Sequence, residues 1–293
     1  MNEGHCLCGS LTWEILAEPY AMYNCHCRMC QKVHGNAFGT YCFVYADQFR
    51  WTGSTDTIVD YESSPVLVRS SCDICGSVVP YSNKEGNHWV TPGGCHGHMR
   101  KPDYNIFVTD SSPWYTINGD MPRRSGYPEE SGIPTVEGLP APEKAEGHIR
   151  GSCLCGGVTY QGTESFQNAH HCHCSRCRYG RAAAHSSNGF VSYDGVQYLS
   201  GEDRLKSYKV PDAQYFTQVF CEVCSSLMPR HDAERDITVI PMGSLDDDPE
   251  IRTFQHIFVD HKARWHDITD GLPQHPERPV SYTHLTQPTS DQV

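Results

Sequence analysis

The hexapeptide Cys25-His26-Cys27-Arg28-Met29-Cys30 returns 147 residues later as Cys172-His173-Cys174-Ser175-Arg176-Cys177. Cys6 and Cys8 recur at the same offset as Cys153 and Cys155. Cys72 and Cys75 recur as Cys221 and Cys224, now 149 residues on. Further downstream, NIFVTDSSPW parallels HIFVDHKARW and sets Trp114 opposite Trp265. Seven cysteines matched with so small a slip identify a duplicated module. The two copies are expected over residues 1–128 and 148–279, and 293 residues suffice for two ordinary domains, each burying its own core. Residues 129–147 are rich in Pro, Gly and Glu without apolar periodicity, which predicts an extended, solvated linker. The polar tail, 280–293, is assigned no role.

Within each copy the local pattern is that of strands and turns. In SLTWEI, Leu11, Trp13 and Ile15 alternate with Thr12 and Glu14, and GVTYQ alternates Val158 and Tyr160 in the same way. VLVRS, NIFV, DITVI and HIFV are further short β-rich runs, and no twelve-residue amphipathic helix stands out. A mainly β protein with short twisted strands and long loops is expected.

No stretch of eighteen apolar residues is present, so no transmembrane helix is expected. The N-terminus, Met1-Asn2-Glu3-Gly4-His5-Cys6, has neither a basic region nor an apolar core and does not read as a secretory signal. A cytoplasmic location is therefore expected, and in a reducing compartment sixteen regularly spaced cysteines point to metal rather than to disulfides. The net charge of −12 is spread over both copies, with 9 Lys/Arg against 12 Asp/Glu in residues 1–128 and 13 against 17 in residues 148–279. No basic domain is hidden in the total, and nucleic acid is not expected as a partner.

Seven cysteines divide as four plus three. A structural zinc takes four protein ligands, whereas a catalytic one keeps three and leaves a position open. Cys6 and Cys8 with Cys72 and Cys75 form one closed set, and Cys153 and Cys155 with Cys221 and Cys224 form the other. This leaves Cys25, Cys27 and Cys30, and Cys172, Cys174 and Cys177, as three-thiolate sets that need a cation to relieve their repulsion. Up to four zinc ions per chain follow. At the three-cysteine sites the fourth position is either open to water or a thiol, which is the catalytic reading, or closed by another protein ligand, which makes the site structural. An open zinc would lower the pKa of a bound thiol from about 8.5 and present a nucleophile at neutral pH.

The order CxCG, strand, CHCxxC, CxxC and a closing FV…W segment resembles the glutathione-dependent formaldehyde-activating enzyme family, which includes centromere protein V. The resemblance covers residues 4–128 and 150–279. It implies a Mss4-like β fold, a structural zinc at the CxC/CxxC cysteines and a second zinc at the CxCxxC cysteines. It also implies a carbon–sulfur lyase activity that condenses glutathione with formaldehyde to S-hydroxymethylglutathione. The first copy keeps Gly35, Phe38 and Gly76, where the second has Ala182, His185 and Ser225. These departures favour the first copy as the active one.

Other residues are weighed beside the cysteines. His26 and His173 lie between ligands, and in an extended stretch they would point away from the metal. Arg28 and Lys32, with Arg176, Arg178 and Arg181, flank the CxCxxC sites and could meet glutathione carboxylates, or else offset the thiolate charge or face solvent. Cys42 and Cys95 have no counterparts and read as buried free thiols, although either could cap the first copy's second zinc. Trp114 and Trp265 are expected in the core. Two functions compete: a zinc-dependent lyase acting on a small thiol and an aldehyde, and a non-catalytic zinc scaffold that binds another protein or chromatin. Oligomeric state is not legible.

Overall fold

The computed structural model describes residues 2–65, 67–97, 100–131, 133, 138–139 and 148–279. Most of the expected linker and the whole tail, 280–293, lie outside the described residues; Glu129–Ser131 form a single 3-10 turn.

In the first half, Ala21–Cys25 pairs antiparallel with Gly39–Tyr45, which pairs with His88–Pro92 and then Tyr81–Ser82. Tyr104–Ile106 adds to the other edge in parallel with Ala21–Cys25. A small sheet of Asn2–His5, Thr12–Ile15 and Phe49–Trp51 lies beside it. The alternation read in SLTWEI holds, because Leu11, Trp13 and Ile15 are all buried. The second half repeats this plan with Asn168–Cys172, Ser186–Ser192, Ile237–Pro241, Arg230–Asp232 and His256–Ile257, and it gains an edge strand, Gln274–His275. Each half has one seven-residue helix, α1 (Arg28–His34) and α2 (Ser175–Arg181), so the fold is mainly β. No helix among the described residues is long and apolar enough to cross a membrane.

The halves do not bury separate cores. One apolar cluster runs through both, from Leu11, Trp13 and Val33 to Val158, Met228 and Ile240. The docking is reciprocal. Helix α1 packs on the turn Met242–Ser244 of the second half, and α2 packs on Gly93–Cys95 of the first. At the centre of each contact is a glycine: a Cβ on Gly243 would lie 2.2 Å from the Asn36 nitrogen, and one on Gly94 would lie 2.3 Å from the Ala183 oxygen. Only hydrogen at those positions lets the backbones close. Burial raises the pKa of Tyr61, on the Ile58–Ser64 strand, and the four cysteines of the second half add to it; for its counterpart Tyr208, burial and the four cysteines of the first half do the same. Gln218 donates to the Cys75 carbonyl at 2.6 Å, and Lys206 pairs with Asp73 at 2.5 Å.

Arg28 and Lys32 belong to this join. Both reach Asp246 of the second half, at 3.3 and 2.8 Å, and Lys32 also donates to Ser152. Of the roles left open for them in the sequence, neither substrate nor solvent describes what these side chains meet here. Their charge is taken up by a carboxylate that the repeat places opposite them. Trp114 and Trp265 are buried, as expected, in a second cluster with Met22 and Cys42, and the Trp265 indole donates to the Gly93 carbonyl at 3.0 Å.

Candidate metal centres

The CxCxxC motif folds as strand, turn and helix. Cys25 ends a strand, Cys27 is the extended residue that starts α1, and Cys30 lies in the first helical turn. This local path alone brings three sulfurs within 4.8 Å of one another, and Cys172, Cys174 and Cys177 repeat it around α2.

The CxC and CxxC motifs are tight turns. The Gly9 amide closes on the Cys6 carbonyl at 3.0 Å, and the Gly76 amide on the Cys72 carbonyl at 2.8 Å. Together they gather Cys6, Cys8, Cys72 and Cys75, while Cys153, Cys155, Cys221 and Cys224 gather likewise. The positive φ of 71° at Gly76 is matched by Ser225 at 54°, so the second half holds a side chain in the left-handed region that favours glycine. None of the sixteen cysteines is in a disulfide.

The donor geometry fits a tetrahedral metal. Four sulfurs about 2.3 Å from a zinc would stand roughly 3.8 Å apart. The Cys8–Cys72 and Cys155–Cys221 pairs are 3.7 and 3.8 Å apart, and the CxC pairs are each 3.4 Å apart. Hydrogen bonds from Cys25 and Cys27 hold Cys30 well below its ordinary pKa, with the Arg69 charge adding to them, while the same contacts push Cys25 well above. In the second half the low thiol is Cys174, lowered to about 3 by hydrogen bonds from Cys172 and Cys177. Four cysteine groups therefore could hold metal ions.

The surroundings of the two CxCxxC groups differ. A cavity of about 1160 Å³ opens onto Cys25, Cys27 and Cys30, with Tyr41, Arg69 and Tyr81 among its walls. Arg69 is buried, and its guanidinium donates to the Tyr41 hydroxyl at 3.0 Å, the Cys30 sulfur at 3.5 Å and Ser63 Oγ at 3.2 Å. The Tyr41 hydroxyl also meets His34 Nε2 at 2.7 Å, and His34 Nδ1 lies 2.6 Å from the Arg181 carbonyl. Burial lowers the His34 pKa to about 4, so the ring is neutral. Its Nδ1–H donates to the carbonyl, and its Nε2 accepts from the tyrosine.

At the same register the second half has Arg181, Asn188, Gln218 and Arg230. Arg181 donates to Asn188 at 2.9 Å, Gln218 is spent on the other half, and Arg230 pairs with Asp232 at 3.2 Å. Arg69 was missed in the sequence. The available signal was a charged residue set in the apolar strand VLVRS, three positions before Cys72.

Several sequence expectations resolve here. His26 and His173 turn away from the sulfurs, with Nε2 on Asn105 Oδ1 at 3.0 Å and on His256 Nδ1 at 2.8 Å. Cys42 and Cys95 are fully buried and outside every sulfur group, so neither caps the first half's three-cysteine site. The strand alternation turns Cys42 away from Tyr41 and Phe43, and the Cys95 thiol points to the Tyr179 carbonyl at 3.9 Å. Arg178 donates to the Gly94 and His261 carbonyls, and Arg176 donates to the Asp212 carbonyl. Gly35 and Phe38 do not line the large cavity; Gly35 ends α1 with φ 55°, as Ala182 ends α2 with φ 52°.

Two β modules, each pairing a four-sulfur with a three-sulfur group, define a tandem protein whose cysteine groups could hold metal ions. Residues 1–110 and 148–261 match the model of the glutathione-dependent formaldehyde-activating enzyme family, and the chain belongs to that family. No curated protein matches it. Among solved structures, a Rhodobacter sphaeroides protein aligns at 19% identity over 32% of this chain and 85% of that one, with a TM-score of 0.27.

Proposed function

We propose that the first copy is a zinc-dependent carbon–sulfur lyase site that condenses glutathione, or a related thiol, with formaldehyde or another aldehyde. We take the copies as residues 1–128 and 148–279 joined by 129–147, and we place the protein in the cytoplasm, where sixteen cysteines stay reduced. The observation that carries the reading is the large cavity that opens onto Cys25, Cys27 and Cys30 beside the buried Arg69.

On this reading the chain holds up to four zinc ions. The ion at Cys25, Cys27 and Cys30 would supply the positive charge that keeps a thiol ionised at neutral pH. The reaction forms a bond between sulfur and the carbonyl carbon, opens the C=O π bond, and delivers a proton to the oxygen. Arg69 stands where its charge can stabilise the negative charge that develops on that oxygen, an effect worth about 10²–10³ in rate for a single donor in comparable sites. Tyr41, held in turn by the neutral His34, and Ser63 each take one Arg69 donor and fix the guanidinium, which leaves the remaining donors for Cys30 and the substrate.

The test is exchange spectroscopy of S-hydroxymethylglutathione formation on the full chain. Arg69→Gln should lower the catalysed rate about 10²-fold with the zinc content unchanged, and Cys27→Ser should abolish catalysis. Catalysis that survives in Cys27→Ser would overturn the assignment.

A further inference from the structure

The cavity over the first copy's CxCxxC group is far larger than a one-carbon aldehyde needs, and its chemistry changes with distance from the sulfurs. Along Ala21–Cys25, alternate residues face one side, so Cys25, Tyr23 and Ala21 form a floor about 13 Å long at roughly 3.3 Å per residue. The next strand sets Tyr41 opposite Tyr23 and Phe43 opposite Ala21, and the one beyond sets Val90 opposite Phe43. Polar groups, Arg69 and Tyr41, stand at the Cys30 end.

Away from that end an aromatic patch of Phe43, Trp51 and Trp89 lies among polar and charged lining residues that include Asp60, Lys84, Glu85 and Asp103. Trp51 and Trp89 meet edge to face at 6.1 Å, and Phe49 backs Trp89 in a stack at 4.2 Å. Both tryptophans line the cavity and are only half-buried. Large rings left partly wet inside a concave site are the surface that an apolar ligand removes from water. The second copy has Tyr198 and Thr238 in place of these tryptophans and His170 in place of Tyr23, so the wall belongs to the first copy.

We propose that the carbonyl substrate of this site carries a bulky apolar group, an aromatic ring or an aliphatic chain, seated against Phe43, Trp51 and Trp89. This inference rests on the lyase reading of the cavity and names its substrate class. The thiol sulfur bonds to the carbonyl carbon of R–CHO, the π bond opens onto oxygen, and the thiol proton ends on that oxygen. The product is a thiohemiacetal, with no change of oxidation state.

S-alkylglutathiones are stable probes for such an adduct. Dissociation constants of the full chain for S-methyl-, S-butyl-, S-hexyl- and S-benzylglutathione are read by calorimetry. Each methylene laid on the wall should tighten binding about four-fold, the factor that corresponds to ~0.8 kcal/mol per buried CH₂. Trp89→Ala should flatten this gradient to less than two-fold per methylene, and Phe43→Leu, which keeps the core filled, should weaken it. Equal affinity across the series in the unmodified chain would overturn the apolar substrate while leaving the lyase reading intact. Failure of glutathione and of every S-alkyl derivative to bind would overturn both. With glutathione as co-substrate, hexanal should react with a higher kcat/KM than formaldehyde; the reverse order would count against the proposal.

Discussion

The two CxCxxC groups share a backbone path and differ in what surrounds them. In the first copy the strand leading to Cys72 contributes Arg69, which turns inward to Tyr41 and Cys30 beside a large cavity. In the second the same register contributes Gln218, which turns outward to the Cys75 carbonyl of its neighbour. Where the first copy has His34 supporting a tyrosine, the second has Arg181 donating to Asn188, with burial lowering its pKa to about 10. One copy has a polar pocket over its sulfurs; in the other, Gln218 goes to the join while Arg181 and Arg230 pair within their own half.

The largest expected effect is one on which the copies should agree. Structural zinc is worth about 10–16 kcal/mol apparent, more than most domains possess, and the two halves share one core. Stripping the metal with a strong chelator should unfold the whole chain in a single transition by circular dichroism. A melt in two steps, with one copy surviving, would break the picture of interlocked halves. Elemental analysis before stripping should give two to four zinc ions per chain.

Asymmetry appears at the join. Asp246→Ala would leave Lys32, 4% exposed, buried without its carboxylate, and should cost about 3–5 kcal/mol in a denaturant titration. The counterpart of Lys32 is Tyr179, which is half-exposed and stacks on His5 at 4.2 Å, so Tyr179→Ala should cost only about 1 kcal/mol. Equal costs would show that the two docking contacts are energetically equivalent.

Acid should act mainly through the second copy. Burial lowers the pKa of His171 and His185 well below the ordinary value and that of His266 to about 4, while in the first copy it lowers those of His26 and His34 to about 4. Below about pH 6.5 the unfolded chain takes up protons that these folded sites refuse. Their stabilisation is thus complete above that pH and is lost as pH falls toward the folded values. His185→Phe installs the residue that the first copy has at position 38. It should reduce the dependence of stability on pH, measured between pH 6.5 and 5, by up to about 1.4 kcal/mol per pH unit. An unchanged slope would mean that His185 is not kept neutral.

The smallest expected effect is at the CxxC turns. Ser225→Gly should stabilise by about 1 kcal/mol by relieving the left-handed residue. The reverse change, Gly76→Ser, should destabilise by about 2 kcal/mol, since a Cβ there would fall 2.5 Å from the Phe220 ring. Thermal melts of both variants read the comparison, and similar shifts of the same sign would contradict it.

The cysteine groups were legible because each half-site is a short local motif whose backbone path is fixed by its own turns. The repeat then paired CxC with CxxC across more than sixty residues. Strand alternation around Trp13 was legible for the same local reason. The join was not, because the contact of Gly94 with Ala183, or of Lys32 with Asp246, links residues far apart in the chain and leaves no periodic signal. Arg28 and Lys32 looked available for a substrate only because their acidic partner could not be seen. Arg69 was hidden in an apolar strand, where a single charge reads as surface until the fold turns it inward.

The central claim is that the first copy's sulfurs, and not the second's, receive the thiol. Titrating the full chain with glutathione in buffers of different ionisation enthalpy measures the proton released as the thiol becomes thiolate. The expected result is that Cys174→Ser retains both binding and proton release, while Cys27→Ser loses both with most of the fold intact. Loss in Cys174→Ser alone, or retention in both variants, would contradict the claim.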